Sequence, residues 1–194
     1  MASGASVRSH CNPWLHLISG HPPMWTLKHV FAIVVLPVTV TIIIPAWVLW
    51  DTKSLNIGCS LLPPWNLLPT ALAFGLVALG VVLVIRSTSL VATVGKGTLA
   101  PWMPTQHLVV RGIYRYVRNP MISGIFCILL GEAVLGGSIP LLWWFLIFVC
   151  INLLYIPMVE EPGLKKRFGE DYLAYRRHVP RWIPRRTPWE PGRE

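Results

Sequence analysis

The sequence predicts an all-α, polytopic integral membrane protein with four to five spanning helices, and three observations carry that prediction. The chain of 194 residues is 54% hydrophobic and only 13% charged, about half the charged fraction of an ordinary soluble domain. Its apolar residues are gathered in blocks long enough to cross a bilayer, which takes about 20 residues of helix. Its 17 basic and 8 acidic residues leave a net charge of +9, with the bases between and after the blocks. That pattern excludes an ordinary soluble enzyme, a disordered chain and a disulfide-stapled secreted module. It also suits anionic lipid headgroups and gives no sign of a nucleic-acid module. A single membrane-embedded domain over residues 1–194 is expected.

The spans follow in order. Residues 30–50 hold no charge and end in Trp47 and Trp50, suited to an interfacial aromatic belt. A second block covers 67–89 and passes Arg86 near its end. The third, 121–138, is interrupted only by Glu132, and the fourth covers 140–159. Between the last two, Gly136-Gly137-Ser138-Ile139-Pro140 is a strong turn signal, so they read as a tight helical hairpin. A fifth span requires 14–27 or 87–103 to enter the bilayer. Strands fit poorly, because the blocks are long and lack alternation.

Orientation follows from the bases. Residues 86–120 hold five Lys or Arg and the tail from 160 holds nine, whereas 51–66 hold only Lys53. The positive-inside rule then sets 86–120, the tail and both termini in the cytoplasm. Cys11, Cys59, Cys127 and Cys150 lack metal-ligand spacing, and no metal is expected. No cleaved signal, G-x-S-x-G, P-loop or H-E-x-x-H is present.

Two polar stretches, 106–120 and 160–184, stand apart from the lipid-facing sequence. In the first, Asn119 is a favoured N-cap and Pro120 a favoured first helical residue. The free amides of such a helix start attract an anionic group. Arg115 and Arg118 suit either lipid phosphates or that same group. Tyr114 and Tyr116 read as belt aromatics or as faces for a cation. His107 reads as an interfacial residue or a cofactor contact. The second stretch opens with Glu160-Glu161-Pro162, two acids where a helix start needs one. Leu164, Phe168, Tyr172, Tyr175 and Val179 then recur every three or four residues, the stripe of an amphipathic helix lying on a membrane surface. Glu132, near mid-span, reads either as a functional group, and so as a candidate substrate contact, or as a neutral acid hydrogen-bonded between helices.

At these residues the chain resembles a known family. Leu108-Val109-x-x-Gly112-x-Tyr114-Arg115-x-x-Arg118-Asn119-Pro120-Met121 is similar to a motif of isoprenylcysteine carboxyl methyltransferases and related phospholipid methyltransferases. Glu160-Glu161-x-x-Leu164-x-x-x-Phe168-Gly169-x-x-Tyr172-x-x-Tyr175, continued by Val179-Pro180-Arg181-x-Ile183-Pro184, resembles the tail motif of the same family. The resemblance implies S-adenosylmethionine as methyl donor, with S-adenosylhomocysteine as product, bound at the cytoplasmic face. It implies cofactor contacts at Gln106, His107, Leu108, Val109, Gly112, Tyr114, Arg118, Asn119, Pro120, Glu160 and Glu161, with Glu161 favoured within the acidic pair. The family's His before Pro is Asn119 here, and its following Tyr is Ile122. Members acting on prenylated proteins carry arginines where this chain has 153–159, which contain none.

The expected activity is methylation of the carboxylate of a lipophilic acceptor, such as a prenylcysteine on a small molecule or protein. The first alternative is N-methylation of a phospholipid amine, with Glu132 or a lipid phosphate as base. A nicotinamide-dependent sterol reductase-like protein and a non-catalytic scaffold for membrane lipids rank below both.

Overall fold

The computed structural model describes residues 35–53, 67–95, 105 and 107–191. Those residues form five helices and no strand. They are α1 (Val35–Thr52), α2 (Leu67–Val94), α3 (Pro120–Gly136), α4 (Ile139–Tyr155) and α5 (Glu161–His178). A 3₁₀ turn at Gly112–Arg115 precedes α3, and a π-helical turn at Ile156–Glu160 joins α4 to α5. Large apolar side chains, among them Trp50, Leu68, Phe74, Trp143 and Leu154, stand exposed on the outside, as lipid contact requires.

Helix α1, the run Ile139–His178 and α2 are each long and apolar enough to cross a membrane. With 17 residues, α3 is about 25 Å long at 1.5 Å per residue. Of the two places for a fifth span, 14–27 lies outside the described residues. Residues 87–94 simply continue α2.

Small residues explain why α3 sits at the centre. Along α2, Ala73, Gly80 and Ser87 are fully or nearly fully buried, seven residues apart and therefore on one stripe. Along α3, Gly124 and Gly131 repeat the same interval. A Cβ at Gly80 would lie 2.5 Å from the Gly124 carbonyl, and one at Gly131 would lie 2.9 Å from that of Ala73. The two backbones thus touch in antiparallel register, the close approach that glycine permits between membrane helices. On its other side α3 meets α1 and α4 through Val40, Ile125 and Leu129, with Trp144 and Phe148 packed around them.

Proline shapes the α1–α4 contact. Thr39–Ile43 is π-helical, a register in which residue 45 should donate to the Val40 carbonyl. Pro45 has no N–H to give. The Trp144 indole N–H donates to that oxygen instead, at 3.2 Å, so the lipid core holds no orphaned carbonyl there. The expected hairpin forms as read. Gly137 closes α3 in the left-handed region at φ 53°, and the Ser138 hydroxyl accepts from the Leu141 amide.

The C-terminal helix departs from expectation. It is amphipathic, but it continues directly from α4 through the π turn and breaks at Gly169 (φ 54°, ψ −128°). Its stripe is not laid on a membrane surface. Tyr172, Tyr175 and Val179 are buried against Leu108, Val110 and Trp189. The tail then folds back as a strap over the segment before α3. The Arg118 amide donates to the Pro180 carbonyl at 3.0 Å, Arg185 to Tyr116 at 3.0 Å and Trp189 to Arg115 at 3.1 Å. Arg115 also pairs with Glu190. Several bases expected to face lipid headgroups are therefore spent inside the protein.

Candidate functional site

The two polar stretches meet. Residues 107–119, the π turn and α5 line an open hollow. Gly112 makes the first wall possible. It takes φ 55°, and a Cβ there would lie 2.8 Å from a Leu90 methyl, so the chain turns tightly against α2. The 3₁₀ turn that follows buries Tyr114, with Val109 and Val91 around it. Tyr175 locks the arrangement by donating its hydroxyl hydrogen to the Tyr114 carbonyl at 2.7 Å.

Glu161, which lines the hollow, is only 4% exposed and is gripped by three arginines. Arg118 Nη1 donates to Oε1 at 2.9 Å, Arg181 Nε donates to the same oxygen at 2.8 Å, and Arg176 Nε lies 3.5 Å from Oε2. Arg118 Nη1 also reaches the Tyr172 hydroxyl at 3.4 Å. One carboxylate among three guanidiniums leaves this cluster positive. Arg118 Nε is buried with no hydrogen-bond partner among the described residues. An unpaired buried donor on a cation is costly, and here it belongs to a residue that lines the hollow.

Glu160, in the π turn, also lines the hollow. It has no cationic partner among the described residues. Burial, and then the charge of Glu161, hold its carboxyl above the ordinary range. Burial and then the charge of Glu160 likewise push the Tyr114 hydroxyl up, so that ring stays neutral. The widened turn arises because Ile156–Glu160 runs in π register up to Pro162, which cannot donate. Such π bulges recur at functional sites.

Of the residues singled out in the sequence, Leu108, Val109, Tyr114, Arg118, Asn119, Glu160 and Glu161 line the hollow. Gln106 lies outside the described residues. His107, Gly112 and Pro120 support the walls without lining them. His107 donates its backbone N–H to Gly95 at 3.3 Å, and Pro120 starts α3. Asn119 occupies the N-cap position, but its side chain makes no cap hydrogen bond. Glu132 stands twelve residues into α3, about 18 Å along the axis from its start, and does not line the hollow. Its Oε2 is buried without a partner among the described residues.

Sequence reasoning missed Val91, Thr105 and Ile156 as lining residues. It treated Leu164, Phe168, Tyr172 and Tyr175 as a membrane stripe, although all four line the hollow. Their aromatic content beside an acidic pair was the available signal.

A hollow lined by the Arg118–Glu161 pair, by Glu160 and by apolar and aromatic side chains has the residue types for a zwitterion that carries a flat base. S-adenosylmethionine has that chemistry. Its carboxylate suits Arg118, its ammonium and sulfonium suit Glu160 and the Tyr114 face, and its adenine suits walls such as Leu108 and Phe168.

No curated protein and no solved structure matches the chain. A family model described as phospholipid methyltransferase matches residues 68–171, just over half of the sequence and most of the hollow. The chain belongs to the phospholipid methyltransferase family and is a membrane methyltransferase.

Proposed function

We propose that the hollow binds S-adenosylmethionine and that the protein methylates the carboxylate of a lipophilic acceptor, of the prenylcysteine kind. The observation that carries the reading is that both polar stretches line one hollow: Tyr114, Arg118 and Asn119 from the first, and Glu160 and Glu161 from the second, with no cation against Glu160 among the described residues. S-adenosylmethionine supplies an activated methyl group on sulfur. The chain's own residues hold the two charged ends of the donor, and the apolar walls exclude water.

Among the described residues no spare base lines the hollow, which suits a carboxylate acceptor. Within the hollow, Glu161 is taken by arginines and Glu160 faces the donor ammonium, while Glu132 is remote. A carboxylate is already a nucleophile at neutral pH. It needs alignment with the methyl carbon rather than deprotonation. The methyl–sulfur bond breaks as the methyl–oxygen bond forms, its electron pair stays on sulfur, and the products are a methyl ester and S-adenosylhomocysteine. The donor enters from the cytoplasm and the acceptor from the bilayer.

The family match favours a second reading, N-methylation of a phospholipid amine. Labelled donor incubated with detergent-purified protein and either N-acetyl farnesylcysteine or phosphatidylethanolamine separates the two. Base-labile label on the prenylcysteine supports the ester. Base-stable label on the phospholipid overturns it in favour of the amine.

A further inference from the structure

The residues that fix Arg118 include a pair beyond the family match. Pro180 and Arg181 lie in the strap, past residue 171, and they grip Arg118 at both ends. The Pro180 carbonyl accepts the Arg118 backbone N–H at 3.0 Å. The next residue, Arg181, donates from Nε to Glu161 Oε1 at 2.8 Å, and that oxygen also accepts from Arg118 Nη1 at 2.9 Å. Two adjacent strap residues thus hold the amide of Arg118 directly and its guanidinium through one shared oxygen.

We propose that Arg181 is a positioning residue for the methyl donor, acting through Glu161 on Arg118. The inference rests on the donor reading of the hollow. Arg181 does not line the cavity, whereas Arg118 and Glu161 do. Its influence therefore runs through the carboxylate. With Arg181 in place, Oε1 of Glu161 serves two donors, and Arg118 Nη1 is committed there and at Tyr172 Oη. That commitment fixes the guanidinium of Arg118 at the wall of the hollow. Without Arg181, Glu161 keeps Arg118 and the half-exposed Arg176. The carboxylate then turns toward them, and Arg118 loses its fixed orientation at the wall of the hollow.

The strap is braced independently, which separates positioning from folding. Arg185 and Trp189 hold it through backbone hydrogen bonds to Tyr116 and Arg115, and the Trp189 ring stacks on His178 at 5.2 Å. Arg181→Ala should therefore leave the strap in place.

The test is S-adenosylhomocysteine binding by the full chain in detergent, read beside thermal unfolding without ligand and beside acceptor KM. Arg181→Ala is expected to weaken binding about tenfold with unchanged acceptor KM, and to lower the unfolding midpoint less than Glu161→Gln does, because Glu161 keeps Arg118 and Arg176. Arg181→Lys, which keeps a cation, should recover part of the loss. It also serves as the test variant if the alanine form does not fold. Combining Arg181→Ala with Arg118→Ala should weaken binding no further than Arg118→Ala alone, because the two act in series. Wild-type binding with unchanged affinity in Arg181→Ala overturns the inference and leaves the donor reading intact. A raised acceptor KM at unchanged donor affinity also overturns it, making Arg181 a direct acceptor contact. No binding by the wild type overturns both.

Discussion

The Tyr175 hydroxyl donates to the Tyr114 backbone carbonyl at 2.7 Å, across 61 residues of sequence and inside the protein. Both rings are buried. The bond ties α5 to the turn before α3 and closes one wall of the hollow. Tyr175→Phe removes the donor and leaves a buried carbonyl unpaired, at a cost of about 1–3 kcal/mol. A lowered unfolding midpoint and weaker S-adenosylhomocysteine binding are expected together. Unchanged values in both would show that the bond closes nothing.

Glu160 predicts a pH dependence with a definite sign. Burial and the neighbouring charge of Glu161 raise its carboxyl above the ordinary range. The ionised form is the one that holds a cation, so donor affinity should rise as pH climbs through that raised value. The ligand-free protein should do the opposite. A carboxyl raised on folding contributes stability at low pH that is lost as pH rises through the folded value. Titrating S-adenosylhomocysteine binding against pH reads the first effect, and Glu160→Gln should abolish that acid limb. A limb that persists in Glu160→Gln belongs to another group.

The α2–α3 contact should be intolerant of bulk. A methyl at Gly80 meets the Gly124 carbonyl at 2.5 Å, whereas Gly75 has nothing within 4 Å. Gly80→Ala is expected to cost about 1–3 kcal/mol in detergent-induced unfolding, and Gly75→Ala to cost nothing. Equal effects would mean that the helices do not touch in this register.

Glu161→Gln tests the ion cluster. It removes the one negative charge among Arg118, Arg176 and Arg181, and breaking a buried pair costs about 3–5 kcal/mol. The expected outcome is a marked loss of thermal stability together with weaker donor binding. Arg177→Ala is the surface comparison. Its partner Glu170 lies 3.9 Å away and both are well exposed, so the change is expected to be near zero.

Much of this was legible in the sequence, and the reasons differ by element. Apolar block length announced the four helices, and Gly137 with Ser138 announced the hairpin, because turn chemistry is local. The Asn119-Pro120 start of α3 and the meeting of the two polar stretches were also readable from residue types. The continuity of α4 with α5 was not. A Glu-Glu-Pro sequence signals a helix start, but here the π turn carries the helix straight through it. The apolar stripe of α5 gave the right periodicity and the wrong partner, since periodicity cannot distinguish a lipid surface from Leu108 and Trp189. Both acids of the pair line the hollow, and only packing reveals that three arginines lie against Glu161 and none against Glu160 among the described residues. Val91 entered the hollow because α2 runs past Arg86 to Val94, which hydropathy alone places at the end of a span.

One calorimetric titration reaches the central claim most directly: S-adenosylhomocysteine into detergent-purified wild type, Tyr114→Ala and Glu160→Gln. Saturable one-to-one binding by the wild type, weakened about tenfold or more by a change in either stretch, is the predicted result. Wild-type binding that neither substitution alters, or no binding at all, would contradict a donor site shared by the two stretches.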